Sequence, residues 1–242
     1  MKASKYRLEE LAWPDVQKYL TEKKSILLPV GSTEQHGPNG IIGVDFLTAK
    51  TIAEAVAVQT ETLVAPVLPY GMALHHMAFP GTASLTPTTF IQVLKEICSS
   101  FVRHGFESII LINGHGGNIA PITSCFSEML TSDQKTQFAL YNWWHLPEVQ
   151  AYEKIHFQDK NGFHATCGEL SVTMHTHPEA YQTERNWNYF ETPSEYPWPL
   201  SPSEFRKTFQ DGRMGSDPRL ANADHGSKIF QIAVDAISAK LK

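Results

Sequence analysis

Between Ser25 and Ile112, short apolar runs alternate with longer stretches whose apolar residues return at helical period. SILLPV, Ser25 to Val30, precedes Phe46 to Val58, where Leu47, Ile52, Ala53 and Val56 share a stripe. A second run, Thr62 to Val67, leads through a Gly/Pro-rich connection to a helix faced by Phe90, Leu94, Ile97 and Phe101. A run that is apolar at every position has no face to give to water, so it belongs in a sheet covered on both sides. Strands separated by helices pair in parallel. The expected fold class is therefore α/β, three layers (α/β/α) about a mainly parallel central sheet. Thr86 and Pro87 supply an N-cap and an N1 proline for the second helix, and Gly105 its C-terminal stop. Ser108 to Ile112 is the third strand, running into NGHGGN, with Pro121 near the start of the helix after it.

Thr136 to Tyr141 reads as a fourth strand, followed by Trp143, Trp144 and His145. Glu169 to His175 is a short helix or strand, which its period does not separate. From Pro178 to Pro218 the residues turn rich in Pro, Trp, Tyr, Asn and Ser, an excursion of irregular structure, and Gly226 to Leu241 closes as a helix faced by Ile229, Phe230, Ala233, Ala236 and Ile237. One domain over residues 1–242 is expected, because 42% hydrophobic residues furnish a sizeable core. A net charge of −5 without a Lys/Arg run argues against nucleic acid and anionic membrane as partners and leaves small molecules. The opening MKASKYRLEELAWPD has no apolar h-region, and no segment reaches the roughly 18 apolar residues of a span. Cys98, Cys125 and Cys167 stand at unrelated spacings, with neither a disulfide framework nor a CxxC pair, which fits a reducing, cytoplasmic setting.

Ligands of a parallel sheet bind beyond the carboxyl ends of its strands, so the polar residues there are the ones to collect. After the first strand come Glu34 and His36, then Asp45 at the start of a helix; after the second come His75 and His76; after the third comes His115, among Gly114, Gly116 and Gly117. In an extended segment Glu34 and His36 point to the same side. Carboxylate with imidazole suits Zn, Mn, Fe or Ni, and an Asp is short enough to bridge two ions. Taken singly, Asp45 is a helix N-cap and Glu34 and His36 are solvated loop residues. NGHGGN also reads as an anion nest, though without the Lys and Ser/Thr of a P-loop. Their conjunction points to a dinuclear metal site.

PVGSTEQHGPNGIIGVD, HHMAFPGTASL, LINGHGGN and FHATCGELS resemble, in order and spacing, the signature segments of the creatininase family, the creatinine amidohydrolases and their relatives. GSDPRLANADHG is similar to the segment before that family's last helix. The resemblance implies a creatininase-like fold and a hydrolase of a C–N amide, lactam or formamide bond, other than an ordinary peptide bond, in a small nitrogenous molecule. It implies two divalent ions per subunit, Zn paired with Zn or Mn and Fe as the other option, with metal-bound hydroxide as nucleophile. Glu34, His36, Asp45 and His115 are the implied ligands, Asp45 bridging.

Creatininase proper resembles HYEN at the glycine-rich loop and uses its glutamate there, where this chain has Gly117; Glu169 stands as the replacement, against the reading of Glu169 as a helix cap. His164 is the implied proton-handling residue, with Glu34 or Glu169 sharing the base role. Trp144 (or Trp143), His76, Gly116 and Gly117 are expected to line the substrate site, and His75 to be a bystander. A homohexamer is implied, with Tyr181 to Phe209 as an interface rich in Trp and Tyr. Asn39 and Gly40 stand where many relatives have His-Leu, and Val44 and Leu170 replace threonines, departures that set creatinine itself apart as substrate. Two rivals remain: a hydrolase using Cys167 with His164, and a catalytically silent α/β module that binds a small nitrogenous ligand. Metal content separates them from the metallohydrolase.

Overall fold

A strand with no polar face needs helices on both sides, and the chain supplies them in alternation. A computed structural model describes residues 3–132, 134–193 and 195–241. In chain order the elements are α1 (Trp13–Glu22), β1 (Ser25–Val30), α2 (Val44–Thr60), β2 (Leu63–Val64), α3 (Pro87–His104), β3 (Ser108–Asn113) and α4 (Ile119–Ser132). Then come β4 (Gln137–Asn142), α5 (Pro147–His156), α6 (Cys167–Thr176), α7 (Pro202–Thr208) and α8 (Ala223–Lys240). The four strands pair in parallel in the order β2-β1-β3-β4.

The pleat divides each central strand between two cores. Leu27, Ile110 and Ile112 face Ile52 and Val56 of α2, Val149 of α5, Val172 of α6 and Ile229 of α8. Ile26, Leu28, Ile109 and Leu111 face Phe90 and Leu94 of α3 and Ile122 of α4, with Val16 and Leu20 of α1 at the margin. This is the expected α/β/α sandwich. Thr86 accepts from the Thr89 N–H at 3.3 Å, and Gly105 takes φ +100°, so α3 is capped at both ends as its sequence predicts.

Three details differ from the sequence reading, and one it left open, Glu169 to His175, is resolved. The run from Thr62 to Val67 shrinks to Leu63–Val64, because Pro66 has no N–H to give; beyond it only the Ala65 and Leu68 amides still donate, to Leu27 and Pro29. Helices α1 and α5 were not anticipated; each starts with a proline in its first turn, and α1 buries none of its residues fully. The segment from Glu169 to His175 is helical, as part of α6. The excursion from Pro178 to Pro218 is largely irregular but contains α7, where Ser201 and Glu204 form a capping box. A third, smaller cluster of Phe79, Leu200, Phe205, Phe209 and Met214 ties that excursion to the loop after β2.

The chain leaves β1 toward β2 on one side and returns to β3 on the other. The carboxyl ends of β1 and β3 therefore flank the crevice where parallel sheets take their ligands. Among the described residues no helix is long and apolar enough to cross a membrane.

Candidate metal centre

Four elements bring the acidic and imidazole side chains of this crevice together. Glu34 and His36 leave β1, Asp45 opens α2, His115 follows β3, and Glu169 sits in the first turn of α6. The elements must pack closely, and Gly114 shows how closely: a Cβ there would lie 2.1 Å from the carbonyl oxygen of Asp45. Only glycine lets the end of β3 press against the start of α2.

Asp45 turns its two carboxylate oxygens to two different imidazoles. Its Oδ1 is 3.0 Å from Nε2 of His36, and its Oδ2 is 3.0 Å from Nδ1 of His115. Glu34 Oε2 lies 3.2 Å from the same His115 nitrogen, and Glu169 Oε1 lies 3.5 Å from the same His36 nitrogen. Two ligand triads result, Glu34–Asp45–His115 and His36–Asp45–Glu169, each with its ligand atoms within 4.8 Å of one another and with Asp45 in both. A third grouping, Glu34–His36–His164, meets the same limit.

The unshared atoms of this cluster suit cations. Both carboxylate oxygens of Glu34, Oδ2 of Asp45 and Nε2 of His36 are buried without a hydrogen-bond partner. Leaving such groups unpaired is costly, and a coordinated ion removes the cost. The far nitrogens are engaged: His115 Nε2 donates to the carbonyl of Met72 at 2.9 Å, and His36 Nδ1 to the carbonyl of Glu34 at 3.2 Å. A carbonyl only accepts, so the opposite nitrogen of each ring carries the lone pair toward the carboxylates, as a metal-ligating histidine requires. The carboxylates draw positive charge to these same nitrogens, as a proton or as an ion. Burial pulls His36 down, yet Asp45, Glu169 and Glu34 together outweigh it and raise it to about 9; His115 is likewise raised against its burial by Glu34 and Asp45. Burial pushes Glu169 up to about 7, with Asp45 and Glu34 opposing its ionisation further. Three carboxylates in one buried site call for positive charge.

His164 stands beside this set. Its Nε2 donates to the Gln35 carbonyl at 2.8 Å, which leaves Nδ1 bare, 3.6 Å from Glu34 Oε1. Burial and the neighbouring His36 hold His164 neutral, down to about 3. His76 is packed over it with ring centroids 4.2 Å apart, and the His76 Nε2 is 3.4 Å from Glu34 Oε1.

Two chambers meet at the cluster. One of about 290 Å³ is lined by Trp144, Glu153, Asn161 and the carboxylates Glu34, Asp45 and Glu169; the other, of about 540 Å³, is lined by His75, His76, Gly117, Phe163 and Trp198. His115, Gly116, Phe163 and His164 border both. Trp144, His76, Gly116 and Gly117 thus all reach the site. Trp143 does not line either chamber but is buried in the core, which assigns the aromatic wall to Trp144. His75 also lines the larger chamber, against its reading as a bystander. Cys167 is fully buried, its Sγ 3.1 Å from the carbonyls of Lys160 and Asp217, and burial pushes its thiol up to about 12. A buried thiol that lines neither chamber is out of a substrate's reach, which counts against the Cys167–His164 alternative.

Sequence reasoning missed Gln35 and Glu153. The Gln35 amide is 2.9 Å from His76 Nδ1 and donates to the Gly212 carbonyl at 2.9 Å, while its oxygen accepts from the Gly37 N–H at 2.8 Å. Its place between Glu34 and His36 was the available signal: alternation sends it to the opposite side, where it braces the second layer of histidines. Nothing in the local sequence of α5 marks Glu153.

The family model for creatininase, described as creatinine amidohydrolase, matches residues 9–241. The chain belongs to the creatininase family. Among characterised relatives, a 3-dehydro-scyllo-inosose hydrolase of Thermotoga maritima is 37% identical over 109 residues, 45% of this chain and 35% of that protein. A mycofactocin precursor peptide peptidase of Mycobacterium tuberculosis is 28% identical, covering 87% of this chain and 82% of the relative. A creatininase variant solved in a Zn–Zn form superposes with TM-score 0.82 at 24% identity over 99% of this chain and 97% of the other, and a manganese form with 0.80 over 97% and 96% at the same identity. Creatininase-family members with these names are hydrolases, and this chain shares their fold.

Proposed function

We propose that this creatininase-family hydrolase cleaves a C–N amide, lactam or formamide bond of a small nitrogenous molecule, with two divalent ions held by Glu34, His36, Asp45, His115 and Glu169. The observation that carries the reading is Asp45, whose two oxygens belong to two separate ligand triads at once. Zinc or manganese ions bound there would lower the pKa of a water and polarise the carbonyl oxygen of the amide.

The chain's own groups do the rest. Met72 and the Glu34 carbonyl lock the tautomers of His115 and His36, so that neither ring has to reorient during turnover. His164 presents its free Nδ1 beside Glu34, a position from which it passes a proton to the departing nitrogen as the C–N bond breaks. Gly117 keeps the loop bare, and Trp144 and His76 wall the substrate.

A hydrolysis screen over lactams, formamides and short peptides, with products identified by mass spectrometry, tests the activity. Turnover that stops on chelation and returns with Zn or Mn supports the proposal. Absence of metal despite supplementation favours a silent binding module.

A further inference from the structure

Resting on that hydrolase reading, the geometry points to a substrate that carries an apolar group of aromatic size on one side of the scissile bond, seated against Trp198 and Phe163. The cleft is divided by chemistry. Its smaller chamber, about 290 Å³, contains Glu34, Asp45, Glu153 and Glu169. Among the described residues its larger chamber, about 540 Å³, has no Asp, Glu, Lys or Arg in its wall; beyond the shared His115, Gly116, Phe163 and His164 it is faced by His75, His76, Met72, Tyr196, Trp198 and Met214. A charged or strongly hydrated group placed there loses water and finds no counter-charge, whereas an apolar ring gains aromatic and thioether contacts. The polar remainder of the molecule then faces the carboxylate side, and the bond to be cut lies where the chambers meet, at His115, Gly116 and His164, with Phe163 at the rim of both.

The apolar wall is held in place. Trp198 packs edge-on to His75 at 5.2 Å, His75 and His76 pack against Phe205 at 5.4 and 4.6 Å, and Tyr196 packs edge-on to Phe209 at 4.9 Å. The small core of Phe79, Phe205 and Phe209 thus fixes the excursion that supplies Tyr196 and Trp198. Phe163 is 85% and Trp198 58% exposed, so two large apolar side chains stand in water at the rim of a cavity that leads to the cluster. A cavity of this volume is within the range of drug-sized ligands and far exceeds a lone five-membered lactam.

Isothermal titration with 2-naphthamide and with acetamide, on chelator-treated and on zinc-loaded protein, tests the assignment without needing turnover. The parent should bind 2-naphthamide at least about tenfold more tightly than acetamide in both forms. Trp198→Ala and Phe163→Ala should each erase most of that preference, and Trp198→Phe should restore it. Both side chains are exposed, so folding is retained. Equal affinity for the two amides, or a preference unchanged in Trp198→Ala and Phe163→Ala, overturns the inference. A preference that depends on Trp198, in a protein that hydrolyses no amide, upholds the apolar chamber and fails the hydrolase reading alone.

Discussion

His115 Nε2 lies 2.9 Å from the carbonyl oxygen of Met72, and that one contact decides which nitrogen of the ring faces Glu34 and Asp45. It also explains a bare position. A Cβ on Gly117 would fall 2.3 Å from the Met72 oxygen and 2.4 Å from His115 Nε2, between donor and acceptor. Gly117→Ala should therefore displace His115, weaken the ion held with Glu34 and Asp45 by about 10–100-fold, and leave the far-UV spectrum unchanged. Metal titration of the variant against the parent measures it; unchanged affinity would show that the loop yields without disturbing His115.

Glu169 has two duties. Its Oε1 accepts from the Thr166 N–H at 2.7 Å, completing a capping box with Thr166 at the start of α6, and the same oxygen faces His36 at 3.5 Å. Cap and candidate ligand are thus not alternatives. Glutamine also serves a capping box, so Glu169→Gln should keep the melting temperature and lose one ion, whereas Glu169→Ala should lose that ion and about 1 kcal/mol of stability as well. A Gln variant with full metal content would leave Glu169 only its cap.

Glu153 gives a pH-dependent prediction. Burial pushes its carboxyl up to about 8, with the charge of Glu169 adding to the shift, and its Oε1 has no hydrogen bond. Below the ordinary carboxyl range both folded and unfolded chains hold the proton. As pH rises toward 8 the unfolded chain releases it first, so stability falls through this window. Glu153→Gln keeps an acceptor for Asn161, whose Nδ2 donates to Oε2 at 3.0 Å, and removes the titration. In chelated protein the variant should gain on the parent by a few kcal/mol at most between pH 4 and pH 8. Melting curves across that range check it, and parallel pH profiles would contradict it.

His164→Gln should retain both ions while kcat falls by about 10²–10⁴, the range for a lost general acid or base. Substrates with better leaving groups should suffer less. Full metal occupancy with unchanged kcat would end the proton-handling role. A lost ion would instead make His164 a ligand, as its grouping with Glu34 and His36 permits.

The sheet and the first half of the site were legible because they depend on local patterns. Glu34, His36 and Asp45 lie close together in sequence at a strand end, and ILLPV and IILI are apolar throughout, so period and chemistry coincide. Glu169 and His164 could be placed only by resemblance: α6 reaches the cluster through its packing on α2 and α8, a long-range relation that spacing does not encode. Gln35 was hidden by its own alternation, pointing away from its neighbours. Helix α7 carried a readable Ser-Pro-Ser-Glu capping box, but the surrounding Pro- and Trp-rich composition masked it. The division of the cleft could not be read at all, since Phe163 and Trp198 come from segments with no shared period.

The central claim is that Asp45 supports two ions at once. Elemental analysis of the purified parent and of Asp45→Ala, both grown with Zn and Mn, tests it most directly. The account predicts about two ions per chain in the parent, almost none in Asp45→Ala, and one retained in His36→Ala. Equal metal content in the parent and Asp45→Ala, or a parent that stays metal-free under supplementation, would contradict it.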